Sequence, residues 1–197
     1  MKRLLLLVTL TAFLLCGCSV GGIDTGASAE YTVSAIGFDK TDDGTVATFE
    51  VIAVNRDDDE RKPERLLFSA TGETPEKAAK KAEKLSGVGF TKSHTASVII
   101  GNTVKGDLFD GITEYCIDER DISVAVAVFC AENAKDLLTN EPITSIAVGY
   151  EIASVLSAYK TPLRNRLYES DSRHFEMPEL FVYGNSFYIG GVKNGKP

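Results

Sequence analysis

The chain has 197 residues, 44% of them hydrophobic and 25% charged, with a formal net charge of −7 at pH 7. That length supports one domain of ordinary size. The acidic balance excludes nucleic acid as a natural partner and is a poor match for anionic lipid headgroups.

The first element is a leader. Lys2 and Arg3 precede an apolar run of twelve residues at 4–15. At ~1.5 Å per residue the run would span about 18 Å, short of a hydrocarbon core about 30 Å thick, so it has the form of a signal-peptide core. Leu15-Cys16-Gly17-Cys18 then looks like a bacterial lipobox, with small Gly17 just before the Cys that takes the lipid. Cys18 is the expected site for diacylglycerol and palmitate-type acyl chains, because lipidation at Cys16 would put Leu15 at the cleavage position. Each buried CH₂ contributes ~0.8 kcal/mol, so two or three chains on one Cys hold firmly where a single chain does not. Residues 1–17 are therefore expected to be a lipoprotein signal peptide. Residues 18–29, small and Gly-rich, are expected to be a flexible tether on the outer face of a bacterial cytoplasmic membrane. Cleavage leaves 180 residues at −9, since Lys2 and Arg3 depart with the leader.

Residues 30–197 are predicted to form a single mixed α/β (α+β) domain, with a central mixed sheet of about five or six strands flanked by helices. Residues 31–39 and 45–54 are β-rich and joined by the turn Asp42-Asp43-Gly44. Ala47, Phe49, Val51 and Ala53 share one face of the second strand, and Val46, Ile52 and Val54 the other, so both faces are expected to be covered. Residues 55–65 form a charged, solvated loop; its three aspartates lack the spacing and Gly of a calcium loop. A third strand covers 66–71. Thr74 as N-cap, Pro75 at the first helical position and Gly87 as terminator then frame a helix. Ala78, Ala79, Ala82 and Leu85 are its expected inner face, while Lys77, Lys80, Lys81 and Lys84 face water.

A fourth strand is predicted at 93–101, a short helix at 106–117 and a fifth, nearly all-apolar and central strand at 122–130. A helical turn or two follows at Ala134–Leu138. Val148, Ile152, Val155, Leu156 and Tyr159 mark a helix over 145–159, a shorter helix is expected after Pro162, and a last strand over 187–192. Cys116 and Cys130 are the candidate disulfide partners of the mature domain; a buried free thiol at Cys130 is the competing reading.

Catalytic chemistry is thinly provided. The chain has two histidines, His94 and His174, and none of the nucleophile-elbow, metalloprotease, phosphate-loop or Cys-x-x-Cys motifs. His94, at a strand start, is expected to be structural. His174 lies in a polar loop with no partner visible in sequence. These features argue against an enzyme, and no cofactor or metal is expected.

Five segments in order resemble the spore-germination receptor C-subunit lipoproteins, the Ger(x)C family. They are Ser34-Ala-Ile-Gly37-Phe-Asp39-Lys40; Gly72-Glu-Thr74-Pro-Glu-Lys-Ala78; Phe90-Thr-Lys-Ser-His94 leading to Ile99-Ile-Gly101; Glu119-Arg120-Asp-Ile122; and Ala134-Lys-Asp-Leu-Leu138. The departures are Cys18-Ser-Val-Gly where the family usually has Cys-Trp-Asp, no Trp anywhere, and a chain ending about where the family's first domain ends. A single-domain or shortened relative is therefore expected. The resemblance implies a non-enzymatic, lipid-anchored subunit of a nutrient receptor in the spore inner membrane, with integral membrane subunits as partners. It also implies that Gly37, Asp39, Gly72, Thr74, Ala78, His94, Gly101 and Arg120 are motif residues that determine the fold. The alternative is a free-standing surface lipoprotein that binds a small ligand.

Overall fold

The computed structural model describes residues 30–54, 63–159, 162–184 and 186–197. The expected signal peptide, the Cys18 tether and the Asp57–Asp59 run lie outside the described residues. The described chain forms one eight-stranded mixed sheet. Its strands are β1 (Glu30–Thr41), β2 (Gly44–Val54), β3 (Glu64–Gly72), β4 (Phe90–Thr91), β5 (Ser97–Gly101), β6 (Ala127–Ala131), β7 (Glu176–Tyr183) and β8 (Ser186–Asn194). The order is β3-β2-β1-β5-β6-β7-β8, with β4 pairing the first residues of β1. β1, β5, β6 and β7 run parallel, whereas β2, β3 and β8 join through antiparallel pairs. The segments leading into the four parallel strands therefore meet at one end of the sheet.

The sheet exceeds the expected five or six strands by β4 and β7. β4 has two residues and carries no pattern, while Pro178, Glu176 and Glu179 obscure the alternation in β7. The predicted fifth strand also begins late, at Ala127, because Ile122 and Val126 enter the core from turns. The strand itself is buried at every position and lies inside the sheet, as its unbroken apolar run predicts.

Among the described residues four helices flank the sheet: α1 (Pro75–Ser86), α2 (Asp107–Asp118), α3 (Ala134–Thr139) and α4 (Val148–Ala158). α1 follows its local signals. The Thr74 hydroxyl accepts from Lys77 N at 3.2 Å, Pro75 opens the helix, and Gly87 closes it at φ 73°, a left-handed conformation that costs glycine least. Its small inner face, Ala78, Ala79 and Ala82, lies against β2 and β3, whereas Leu85, expected on that face, is 64% exposed. α4 starts at Val148, after Ser145 has bonded the Ala147 carbonyl. After Pro162 a three-residue 3₁₀ turn, Leu167–Glu169, replaces the expected short helix.

α1 and α2 cover one face over Ile36, Phe38, Phe49, Val98, Ile100 and Val128, while α3 and α4 cover the other over Ala35, Ile99, Phe129 and Leu180. The result is a three-layer α/β/α domain. Cys116 and Cys130 are both buried and free, so no disulfide joins them. Burial pushes the Cys116 thiol up to about 12 and the Cys130 thiol up to about 11.

Candidate functional site

Six of the eight motif residues make close backbone or capping contacts. Gly37 lies on β1 under α3, where an added Cβ would stand 3.1 Å from both Ala134 Cβ and Leu138 Cδ1. Gly72 brings β3 against α1; a Cβ there would fall 2.3 Å from Ala78 N, and Ala78 is fully buried. Thr74 caps α1. Asp39, 3% exposed, accepts from Ala134 N at 2.8 Å and Lys135 N at 2.9 Å, holding the start of α3 to the end of β1. Gly101 passes beside that carboxylate, where an added Cβ would stand only 2.0 Å from Asp39 Oδ1. Desolvation raises the Asp39 pKa above the ordinary aspartate value, against the lowering effect of its two backbone donors.

His94 and Arg120 behave differently. Both are exposed in turns, His94 just before β5 and Arg120 before β6. The expectation of a structural strand histidine fails for His94 because β5 starts three residues later, at Ser97. The buried polar residues of that turn are Lys92 and Thr95; Lys92 bridges Glu83 at 3.3 Å and Glu119 at 3.1 Å and ties the ends of α1 and α2 together.

The most densely bonded buried group is Glu50, which lies in the middle of the apolar strand β2. Its side chain is 0% exposed. It accepts from Val148 N and Gly149 N at 2.8 Å each, from Ser34 Oγ at 2.7 Å, and from Arg65 Nε. α4 has no side-chain cap of its own, so Glu50 supplies from the sheet what an N-cap residue supplies locally. A bulge between Val33 and Ala35 leaves Ser34 as the extra residue and turns its hydroxyl toward Glu50. Arg65, expected in a solvated loop, instead belongs to β3, is 14% exposed and also donates to the Leu138 carbonyl. One signal in the sequence points here: a single carboxylate within a run of apolar β residues needs a buried partner.

Three concavities are candidates for ligand chemistry. One of about 590 Å³ lies between α1 and α2, where Glu76, Glu114, Asp118 and Glu119 surround Tyr115. Burial pushes the Tyr115 phenol well above its ordinary value, so it stays protonated. A second, about 620 Å³, is lined by Pro162, Arg164, Arg173, His174, Glu176 and Asn194. A third, about 430 Å³, reaches Cys130 and Lys193. Among the described residues no group of three His, Cys, Asp or Glu side chains could hold a metal ion. His174 shares its concavity with cations and a carboxylate but with no serine or cysteine nucleophile. No helix among the described residues is long and apolar enough to cross a membrane.

The family model described as spore germination protein N-terminal domain matches residues 30–175, which takes in the strands from β1 to β6 and all four helices. No curated protein and no solved structure matches the chain.

Proposed function

The chain belongs to the spore germination protein N-terminal domain family, and from that premise we propose that it is a lipid-anchored, non-enzymatic subunit of a spore nutrient receptor. The observation that carries this reading is the family match across residues 30–175, which follows the domain from its first strand to the edge of β7. Cys18 is the proposed attachment point, and 18–29 the tether. The proposed location is the outer face of the spore inner membrane, beside integral membrane receptor subunits. Confinement to two dimensions raises the effective concentration of the domain near such partners, so individually weak contacts suffice. The polar chemistry of the interior supports the non-enzymatic part: Glu50, Asp39 and Lys92 are each engaged in joining elements of the fold.

The test is genetic and biochemical. Deleting the gene in its host should abolish the response of spores to at least one nutrient, while germination by a trigger that bypasses the receptors is unchanged. A tagged chain isolated from spore membranes in mild detergent should bring integral membrane subunits with it. A deletion strain that answers every nutrient at the normal rate would overturn the proposal.

A further inference from the structure

The two edges of the sheet differ. β8, one edge strand, carries devices that keep a strand from pairing further: a register break opposite Glu179 and Leu180, the adjacent Gly190 and Gly191, and Lys193. β3, the other edge, carries none of them between Leu66 and Thr71. It pairs β2 without a break from Glu64 to Gly72, and from Leu66 onward it has no charge and no Pro. Among the described residues no strand lies on its outer side. β5 and β6 are buried at every position, whereas β3 is only half-buried from Arg65 to Thr71.

The backbone shows which groups this edge presents. The Gly72 carbonyl is turned toward β2, where a Cβ on Gly44 would stand 2.4 Å from it. The Thr71 carbonyl is turned away and accepts from Lys81 Nζ at 3.0 Å. Alternation along the strand then sends the backbone groups of Arg65, Leu67 and Ser69 outward as well. Lys81 and Leu85, four residues apart, share the side of α1 above this edge, while Glu76 and Lys80 face α2. Leu85 is 64% exposed there. Glu64, exposed at the far end of β3 from Lys81, has no ion-pair partner among the described residues.

We propose that β3 pairs with β3 of a second copy of this chain, antiparallel about a two-fold axis at Phe68, so that the two sheets become one. In that register Leu67 and Ser69 exchange backbone hydrogen bonds across the axis, and Leu66 faces Ala70 of the second copy. Glu64 comes opposite Gly72 of the second copy, where no side chain separates it from that copy's Lys81. The Arg65 N–H takes the Thr71 carbonyl of the second copy and frees Lys81 there for Glu64. The symmetry forms this ion pair twice, and the uncharged centre of β3 meets itself without like charges facing. That complementarity favours a second copy over an unrelated strand, and the paired edge covers Leu85 on both α1 helices. The pairing rests on β3 and α1 and does not depend on the anchor at Cys18.

Sedimentation of the full chain in mild detergent should show a dimer at micromolar concentration. Leu66→Cys and Ala70→Cys chains, differently tagged, mixed and oxidised, should cross-link to each other, because their Cβ atoms would stand about 4.5–5.5 Å apart. Neither should cross-link to itself, and Cys116 and Cys130 are buried away from the edge. Glu64→Lys alone or Lys81→Glu alone should weaken the dimer about tenfold, and the double variant should restore it, with urea midpoints near the parent's throughout. A chain that stays monomeric overturns the proposal. So does a dimer that neither forms the Leu66→Cys to Ala70→Cys cross-link nor answers to the charge exchange. A monomer whose Ala70→Cys cross-links instead to a different spore-membrane protein gives the edge to another partner and overturns the second copy.

Discussion

At the scale of single residues, the fold depends on carboxylates that the sheet presents to helix starts. Glu50→Gln keeps the shape but removes the charge that faces Arg65, and it turns an amide donor toward Val148 N or Gly149 N. Breaking a buried pair in this way costs about 3–5 kcal/mol, so urea unfolding should show a loss of that order. Asp39 gives a pH signature. Its folded pKa is raised, so the folded state binds the proton more readily than the unfolded chain. Its contribution to stability is therefore fully present below the ordinary aspartate range and is lost as pH rises through the raised folded value. The difference in stability between the wild type and Asp39→Asn, followed by urea midpoints, should move against the wild type as pH rises across that window. Cys116 and Cys130, with thiols raised by burial to about 12 and about 11, should resist alkylation at neutral pH and react only after unfolding.

At the scale of elements, what can be foreseen divides by whether the signal is local. α1 is legible because Thr74, Pro75, the alanine spacing and Gly87 all sit within the helix or next to it. The β1–β2 hairpin is legible because its turn chemistry lies between two β-rich runs. α4 is legible as a periodic run, but its cap is not, since the acceptor lies 98 residues away on β2. Arg65 misleads for the same reason: a charged neighbourhood reads as solvent until the partner on β2 is known. His94 misleads because a short stretch with β propensity does not say where the strand begins, and here Lys92 and Thr95 form a turn first. The two strand–helix approaches can be ranked by experiment. Thr74→Ala should cost about 1 kcal/mol, the usual loss of an N-cap side chain. Gly72→Ala should cost more, because its Cβ would stand 2.3 Å from the backbone of Ala78 and backbone cannot swing aside. Thermal unfolding of the two variants side by side checks the order.

At the scale of the whole molecule, the family and the α/β architecture can be read from the order of segments, while the polar contacts that join distant elements, such as Glu50 with the start of α4, cannot. The anchor proposed at Cys18 is what would make a folded domain into a working subunit, because a domain whose buried polar groups are spent on its own architecture gains its effect from where it is held. The most direct measurement is nutrient-triggered germination of spores carrying Cys18→Ser beside spores carrying Cys16→Ser, with fatty-acid labelling of both chains. The account predicts that Cys18→Ser loses the label and the nutrient response while Cys16→Ser keeps both. A Cys18→Ser strain that retains its label, or that germinates like the wild type without it, would contradict the account.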